Sequence, residues 1–103
     1  MFIQVTTTTD SLEAARSLAR SAVEARLAAC AQISGPIESV YHWQGAVETA
    51  HEWVVVFKAR AMAYQMLENH IKEKHSYDVP EIVATPISEG NPAYLSWVEA
   101  NAS

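Results

Sequence analysis

The side chains best suited to chemistry in this sequence are one cysteine and four histidines: Cys30, His42, His51, His70 and His75. Thiolate and imidazole groups are good ligands for copper and zinc, so these residues are candidate metal donors. Their spacing matches no standard metal motif, because neither H-x-x-x-H nor paired cysteines occur. On one continuous helix, His70 and His75 would point about 140° apart.

His42 and His51 lie on opposite sides of a predicted hairpin turn. A slightly different turn register would make them cross-strand neighbours, so this pair is a second hypothesis for a metal site. A homo-oligomer offers another route, because a symmetry axis can bring one histidine from each subunit to a shared point.

The densest polar segment runs from Lys74 to Glu81, where a predicted helix ends in a loop braced by Pro80. Loops of this kind on a rigid scaffold often carry function. A structural interpretation competes evenly with a functional one. Lys74 and His75 also suit the negative end of a helix, and Pro80 suits the start of a strand.

Enzymatic chemistry is not predicted for this chain. It contains no G-x-G-x-x-G, P-loop, G-x-S-x-G or C-x-x-C motif, which removes the usual nucleotide, hydrolase and dithiol hypotheses. Cys30 lies in an apolar alternating segment, so a buried, inert thiol is favoured over a nucleophile. Glu38, Glu48 and Glu52 are spaced as solvated strand and turn residues.

Length and composition predict one compact domain over residues 1–103. The net charge is −5 and the seven basic residues form no run, which argues against nucleic acid and anionic membranes as partners. No apolar run approaches the roughly 20 residues that cross a bilayer. A single cysteine and the lack of a signal-like opening predict a cytoplasmic protein.

Periodicity predicts the order strand, helix, strand, strand, helix, strand, with a closing helix. The elements are a strand over 2–8, a helix over 10–27, a strand over 28–43 with a bulge at Gly35-Pro36, a turn at 44–46, a strand over 47–60, a helix over 61–74, a strand over 81–87 and a helix from Asn91-Pro92. This is the split βαβ order of a ferredoxin-like α+β domain, with two helices on one face of an antiparallel sheet. The fold hosts many activities and decides nothing about function.

Two helices carry more specific expectations. Asp10 and Glu13 form a capping-box variant at the start of the first helix. In the second helix, Met62, Met66 and Leu67 belong to an apolar stripe that is predicted to face the sheet.

The predicted hairpin is long for so small a domain. A return strand of roughly 14 residues spans about 46 Å, whereas a domain of this size has a radius of gyration of about 13 Å. The tip, with Tyr41, Trp43 and Trp53, should project beyond the subunit, and large aromatic surfaces are seldom left in water. We therefore predict that another subunit covers the tip. A shorter hairpin frayed around His51-Glu52 is the alternative.

Five segments together resemble the CutA family of divalent-cation tolerance proteins. They are the L-A-A-C segment within 26–33, the S-x-Y-x-W-x-G-x-x-E hairpin at 39–48, the strand lysine Lys58, a loop at 75–81 similar to H-P-Y-x-x-P-E, and the closing G-x-x-x-Y-L-x-W at 90–97. The resemblance implies a ferredoxin-like subunit whose hairpin builds a homotrimer. It also implies a cytoplasmic, non-enzymatic protein linked to copper or other divalent ions.

Some positions depart from the family pattern. Some members have a cysteine on the first strand and two adjacent histidines before the Tyr-x-x-Pro-Glu loop as proposed copper ligands. Here Thr6 or Thr7 takes the first position, and Lys74 precedes the single His75. Of these ligands, the resemblance carries over His75 alone. Ser76 replaces the usual proline, which should loosen the loop and leave the fold intact.

Three functional hypotheses follow. The first is a trimeric metal-tolerance protein that binds copper, zinc or another divalent ion through His75. The second is a small-molecule sensor similar to the PII regulators, with a cleft between subunits lined by Tyr41, Trp43, Lys58, His75, Tyr77 and Glu81. The third is a stable trimeric scaffold that docks other proteins.

Overall fold

The computed structural model describes residues 1–103. Its elements are β1 (Phe2–Thr9), α1 (Leu12–Glu24), β2 (Cys30–Trp43), β3 (Ala46–Arg60), a 3-10 turn (Ala61–Ala63), α2 (Tyr64–Lys74), β4 (Ile82–Ile87) and α3 (Pro92–Asn101). The four strands form one antiparallel sheet in the order β2-β3-β1-β4. The predicted α+β fold and its order of elements are confirmed. No helix has the length and apolar character needed to cross a bilayer.

The core lies between one face of the sheet and the two helices α1 and α2. Side chains alternate between the two faces of a strand, so Ile3 and Val5 of β1 share a face with Val55 and Phe57 of β3. All four are buried against the helices. Helix α1 contributes mainly small residues such as Ala15, which let it lie close to the strands.

The boundaries of α1 differ from the prediction at both ends. Ser11 rather than Asp10 is the N-cap, and its hydroxyl accepts the Ala14 N–H at 3.0 Å. At the other end Arg26 has a left-handed φ of +60°, and the Leu27 N–H donates back to the Ala22 carbonyl at 3.0 Å. This Schellman-type ending stops the helix before Leu27.

The prediction that Met62, Met66 and Leu67 together face the sheet holds for Leu67 alone. Met62 is 75% exposed and Met66 is 64% exposed, whereas Leu67 and Ile71 are fully buried. Leu67 and Ile71 are four residues apart and share the buried face of α2. Met66 lies one position round the helix from Leu67, and Met62 lies in the preceding 3-10 turn, so both methionines face solvent.

The hairpin has the predicted bulge and length. The pairing of β2 with β3 shifts between Ser34 and Ile37, and Gly35 in that gap has a φ of +144°. Gln44 and Gly45 both have positive φ at the turn, as a two-residue turn with the right-handed twist of a hairpin requires. The long axis of the molecule measures 45 Å, against 25 and 22 Å for the others.

The tip of the hairpin is exposed in the single chain. Trp43 is 60% exposed, and Val40, Tyr41 and Val47 are also exposed. Trp53 is not at the tip, contrary to the prediction, because it lies opposite Thr9 and packs against the main core. The aromatic tip is therefore formed by β2 alone.

Candidate functional site

A cleft of about 670 Å³ lies between the hairpin and the loop that follows α2. We call it the hairpin cleft. Its lining residues are Thr8, Ser39, Val40, Tyr41, Trp43, Glu52, Tyr77, Asp78, Val79 and Glu81. Strands β1, β2 and β3 therefore supply one side of the cleft, and the loop before β4 supplies the other.

Tyr77 joins the two sides of the hairpin cleft. Its hydroxyl donates to Glu52 Oε2 at 2.7 Å. Burial and this hydrogen bond to a carboxylate, in that order, raise the pKa of Tyr77 well above its usual value. The phenol therefore stays protonated and keeps donating this hydrogen bond, which holds the loop against the return strand β3.

His75 fixes the start of the same loop. The Tyr77 N–H donates to His75 Nδ1 at 3.1 Å, so the ring proton is on Nε2, which donates to the Thr8 carbonyl at 2.7 Å. The His75 and Tyr77 rings also pack with centroids 4.9 Å apart. Both nitrogens are engaged, so a metal ion would have to displace one of these bonds.

The other candidate copper position on β1 does not fit a metal ligand either. Thr7 is fully buried on the helix-covered face, and Thr6 is on the opposite face because the strand alternates. A threonine hydroxyl is also a poor ligand for copper. Thr6, Thr7 and His75 therefore do not form the copper site that the family resemblance implied.

His42 and His51 are not cross-strand neighbours. His42 pairs with Val47 and His51 pairs with Glu38, which separates the two histidines by four residues along the ladder. The two-residue turn at Gln44-Gly45 sets this register, so the hypothesis of a histidine pair within one hairpin is wrong. No group of three histidine, cysteine or carboxylate side chains in the chain is placed to hold a metal ion.

Six residues were expected in a cleft between subunits, and four of them, Tyr41, Trp43, Tyr77 and Glu81, line the hairpin cleft of the single chain. Lys58 and His75 do not line it. The Lys58 ammonium donates to Gln32 Oε1 at 2.7 Å, farther along the sheet.

Sequence reasoning missed the other lining residues. Ser39 and Val40 adjoin Tyr41 in the chain, and Asp78 and Val79 lie between Tyr77 and Glu81, so the polar loop gave a partial signal. Nothing local marked Glu52, whose position depends on the hairpin register.

The hairpin cleft is acidic. Glu52, Asp78 and Glu81 contribute three carboxylates, and neither lysine nor arginine is among the lining residues. The only ion pairs in the chain, Arg20–Glu24 and Lys72–Glu68, involve none of the three. An unpaired cluster of negative charge favours cations over anions as ligands.

Cys30 is half-buried rather than in the core. It lies opposite Lys58, on the sheet face that α1 and α2 leave open, and the Tyr94 hydroxyl of α3 is 3.5 Å from its Sγ. This hydrogen bond, followed by burial, raises the pKa of Tyr94 to about 12. Cys30 also lines a shallow groove of about 630 Å³ beside Arg16 and Arg20.

The split βαβ sheet, the extended hairpin and the cleft beside it define a ferredoxin-like domain with a protruding β-ribbon. The family model of the CutA1 divalent ion tolerance protein matches residues 3–101. The chain belongs to this family.

Relatives and solved structures agree with the family model. The chain is 45% identical over 94 residues to the divalent-cation tolerance protein CutA of Thermus thermophilus, covering 91% of each. It is 43% identical to the chloroplastic protein CutA 1 of Oryza sativa, covering 94% of this chain and 55% of that protein. The solved Cut A1 structure from Thermus thermophilus matches all of both chains with a TM-score of 0.97 and 43% identity. The periplasmic divalent cation tolerance protein CutA from Archaeoglobus fulgidus matches with a TM-score of 0.95 and 35% identity, covering 98% of each chain.

Proposed function

We propose that this protein works as a homotrimer in divalent-cation tolerance, and that copper or zinc ions bind to histidines of its hairpins where subunits meet. Membership of the tolerance family supports the general function. The exposed aromatic hairpin is the observation that supports the assembly.

The hairpin carries the argument for a trimer. Val40, Tyr41, Trp43 and Val47 expose large apolar side chains on a ribbon that extends beyond the core. Burying one such side chain stabilises an interface by about 1.5–3 kcal/mol, so a shared interface has a large driving force. Strands β2 and β4 are also edge strands, whose free backbone groups can pair with another chain.

The same hairpin offers donors for a metal ion. His42 and His51 are exposed, and Glu38 lies directly opposite His51 in the ladder. Their separation within one chain means that a site with both imidazoles takes them from different subunits. Imidazole and carboxylate donors suit zinc and copper(II). His75 is a weaker candidate because both of its ring nitrogens already have partners.

The other two hypotheses have less support. A PII-like sensor of an anionic nucleotide would need basic groups in its cleft, and three carboxylates line this one. A scaffold for other proteins would use the exposed tip that the trimer covers in our proposal. Relatives named for the chloroplast and the periplasm show that the family is not confined to one compartment, and we propose the cytoplasm for this chain.

Native mass spectrometry with limiting zinc tests the metal site. We expect zinc to bind the trimer at a fixed stoichiometry, and His42→Gln with His51→Gln to abolish that binding while the trimer persists. His70→Gln is the matched control, because His70 lies between α1 and α2 and hydrogen-bonds to Ser21 at 2.8 Å. Zinc binding that survives in the double variant would exclude the hairpin histidines.

A further inference from the structure

We propose that Met1, Met62 and Met66 together bind a copper(I) ion beside the start of α2. This inference goes beyond the proposed function, because the site uses none of the hairpin histidines and does not depend on the trimer. Three observations carry it: the exposure of the methionines, their placement by the backbone and the chemistry of the thioether group.

All three methionines of the chain are exposed to solvent. Met1 is 85% exposed, Met62 75% and Met66 64%. Methionine is usually a buried residue that fills gaps in a core. Neither apolar cluster of this protein contains one. Packing of the core therefore explains none of the three methionines.

The backbone places Met62 and Met66 side by side. Ala63, Leu67 and Ile71 are buried at intervals of four residues, so one buried stripe runs through the 3-10 turn and α2. Met62 and Met66 each come one residue before a member of that stripe, and they share its flank. Helical residues four apart have Cβ atoms about 5–6 Å apart. The long, unbranched methionine side chain spans that distance, so two sulfur atoms reach one ion.

The start of β1 brings Met1 to the same place. The Ala61 N–H donates to the Met1 carbonyl at 2.9 Å, which extends the ladder of β1 and β3 by one pair. Side chains alternate along a strand, so Met1 shares the helix-covered face of the sheet with Ile3. Met62 follows Ala61 directly in the chain. Arg60 belongs to the opposite face by the same alternation.

The thioether group selects the ion. Its sulfur atom is neutral and soft, and soft sulfur ligands favour copper(I). Calcium and magnesium require oxygen ligands, and zinc takes thiolate, imidazole or carboxylate ligands. Three neutral donors offset none of the charge of a divalent ion, whereas they suit a monovalent one. The exposure of the three side chains leaves the site open to an ion from solution.

NMR spectroscopy of the intact protein, labelled with ¹³C at the methionine methyl groups, tests the proposal. The three methionines give three signals, and Met62→Leu and Met66→Leu assign them. We expect copper(I), added without oxygen as its acetonitrile complex, to move all three signals together and to saturate at one ion per chain. A Cys30→Ser background removes the competing thiol, and a pH of about 5.5 weakens imidazole ligands without affecting thioethers.

The two leucine variants also test the affinity. Each keeps an apolar side chain of similar size and removes one sulfur atom, so copper(I) binding should weaken by about tenfold or more. Gln65→Leu is the matched control, because it adds a leucine at the neighbouring exposed position and keeps all three sulfur atoms. It should leave the affinity unchanged.

Several outcomes would overturn the proposal. Unmoved signals, movement of one signal alone or different midpoints for the three signals would show that the thioethers form no common site. Equal movement with zinc would show no preference for a soft ion. Equal weakening by Gln65→Leu and Met66→Leu would assign the effect to the added leucine. Each of these results concerns the methionines alone, so none would count against a metal ion on the hairpin histidines.

Discussion

The Tyr77 hydroxyl donates to the Glu52 carboxylate at 2.7 Å and thereby ties the loop after α2 to the return strand of the hairpin. Along the chain the two residues are 25 positions apart. His75 holds the other end of the same loop through the Thr8 carbonyl. The shape of the hairpin cleft therefore depends on two side chains that reach out of one short loop.

Removing the Tyr77 hydroxyl should destabilise the fold. Tyr77→Phe deletes a hydrogen bond to a charged acceptor, and we expect a loss of about 1–2 kcal/mol in the free energy of unfolding. Tyr64→Phe is the matched control, because Tyr64 makes an equally short 2.7 Å bond to Glu68. In the Tyr64→Phe variant Glu68 keeps its ion pair with Lys72 on the same exposed helix. The free energy of unfolding should therefore fall by less than about 1 kcal/mol. Denaturant unfolding measures both. Equal losses would contradict a special role for the loop contact.

Gly35 should tolerate no side chain. An added Cβ would lie 2.8 Å from Trp53 Cδ1 and 3.0 Å from the Glu52 carbonyl oxygen, at a φ of +144°. We expect Gly35→Ala to cost roughly 2–4 kcal/mol in thermal or denaturant unfolding. Gly45→Ala has positive φ but open space around it, and should cost about 1 kcal/mol. If the two variants were equally stable, the bulge would not be tightly packed.

The buried Thr7 hydroxyl should be dispensable. Its Oγ1 has no hydrogen-bond partner, although the residue is fully buried. Thr7→Val keeps the shape and removes the unpaired group, so the free energy of unfolding should rise by about 1 kcal/mol. Thr9→Val is the matched control, because the Thr9 hydroxyl donates to the Ser11 carbonyl at 2.8 Å. Losing that hydrogen bond should lower the free energy of unfolding by about 1 kcal/mol. A loss of stability in Thr7→Val would indicate a partner for the hydroxyl in the assembled protein.

His70 should make the fold sensitive to acid. Burial, reinforced by Lys74 and opposed by Glu73, lowers the pKa of His70 below its ordinary value of 6.5. The unfolded chain then binds this proton more readily, so stability is full above pH 6.5 and is lost as the pH falls through the lower folded pKa.

Unfolding measured between pH 7.5 and 5 checks this effect. His70→Gln removes the ionisation, and its stability should fall less steeply with acid than that of the parent protein. Identical slopes for the parent and His70→Gln would rule out His70 as the source.

The hairpin tip should contribute to assembly. Trp43→Ala removes a side chain that is 60% exposed in one chain, and we expect the interface to weaken by about 3 kcal/mol. Met62→Ala, which also removes an exposed apolar side chain, should leave assembly unchanged because Met62 lies in the 3-10 turn before α2 and not on the hairpin tip. Analytical ultracentrifugation over a dilution series compares the two. Undiminished assembly of Trp43→Ala would place the tip outside the interface.

Much of the fold follows from local patterns in the sequence. Alternation of apolar residues and the Gly35-Pro36 interruption predicted the long bulged strand that the structure shows. The buried face of α2 could not be predicted in this way, because Met66 and Leu67 are adjacent in the chain and the helical period does not decide which of the two faces the sheet. The N-cap of α1 is Ser11, one residue after the predicted Asp10. Both residue types are good N-caps, so the sequence does not decide between them.

The candidate site was harder to predict than the fold. Tyr41 and Tyr77 were expected in a cleft between subunits, and the structure places both in a cleft within one chain. The link between Tyr77 and Glu52 needs the tertiary arrangement of loop and hairpin. The separation of His42 and His51 depends on a turn of two residues, and a change of one residue would alter every pair in the ladder. Patterns within one segment do not contain that information.

The mass of the native protein in solution, with and without limiting zinc, tests the central claim most directly. One chain has a mass of 11.3 kDa. We expect native mass spectrometry to show a species of three chains that takes up zinc in a fixed ratio while any dissociated chain stays metal-free. A predominant monomer, or zinc bound equally well by single chains, would contradict a trimer with metal ions between its subunits.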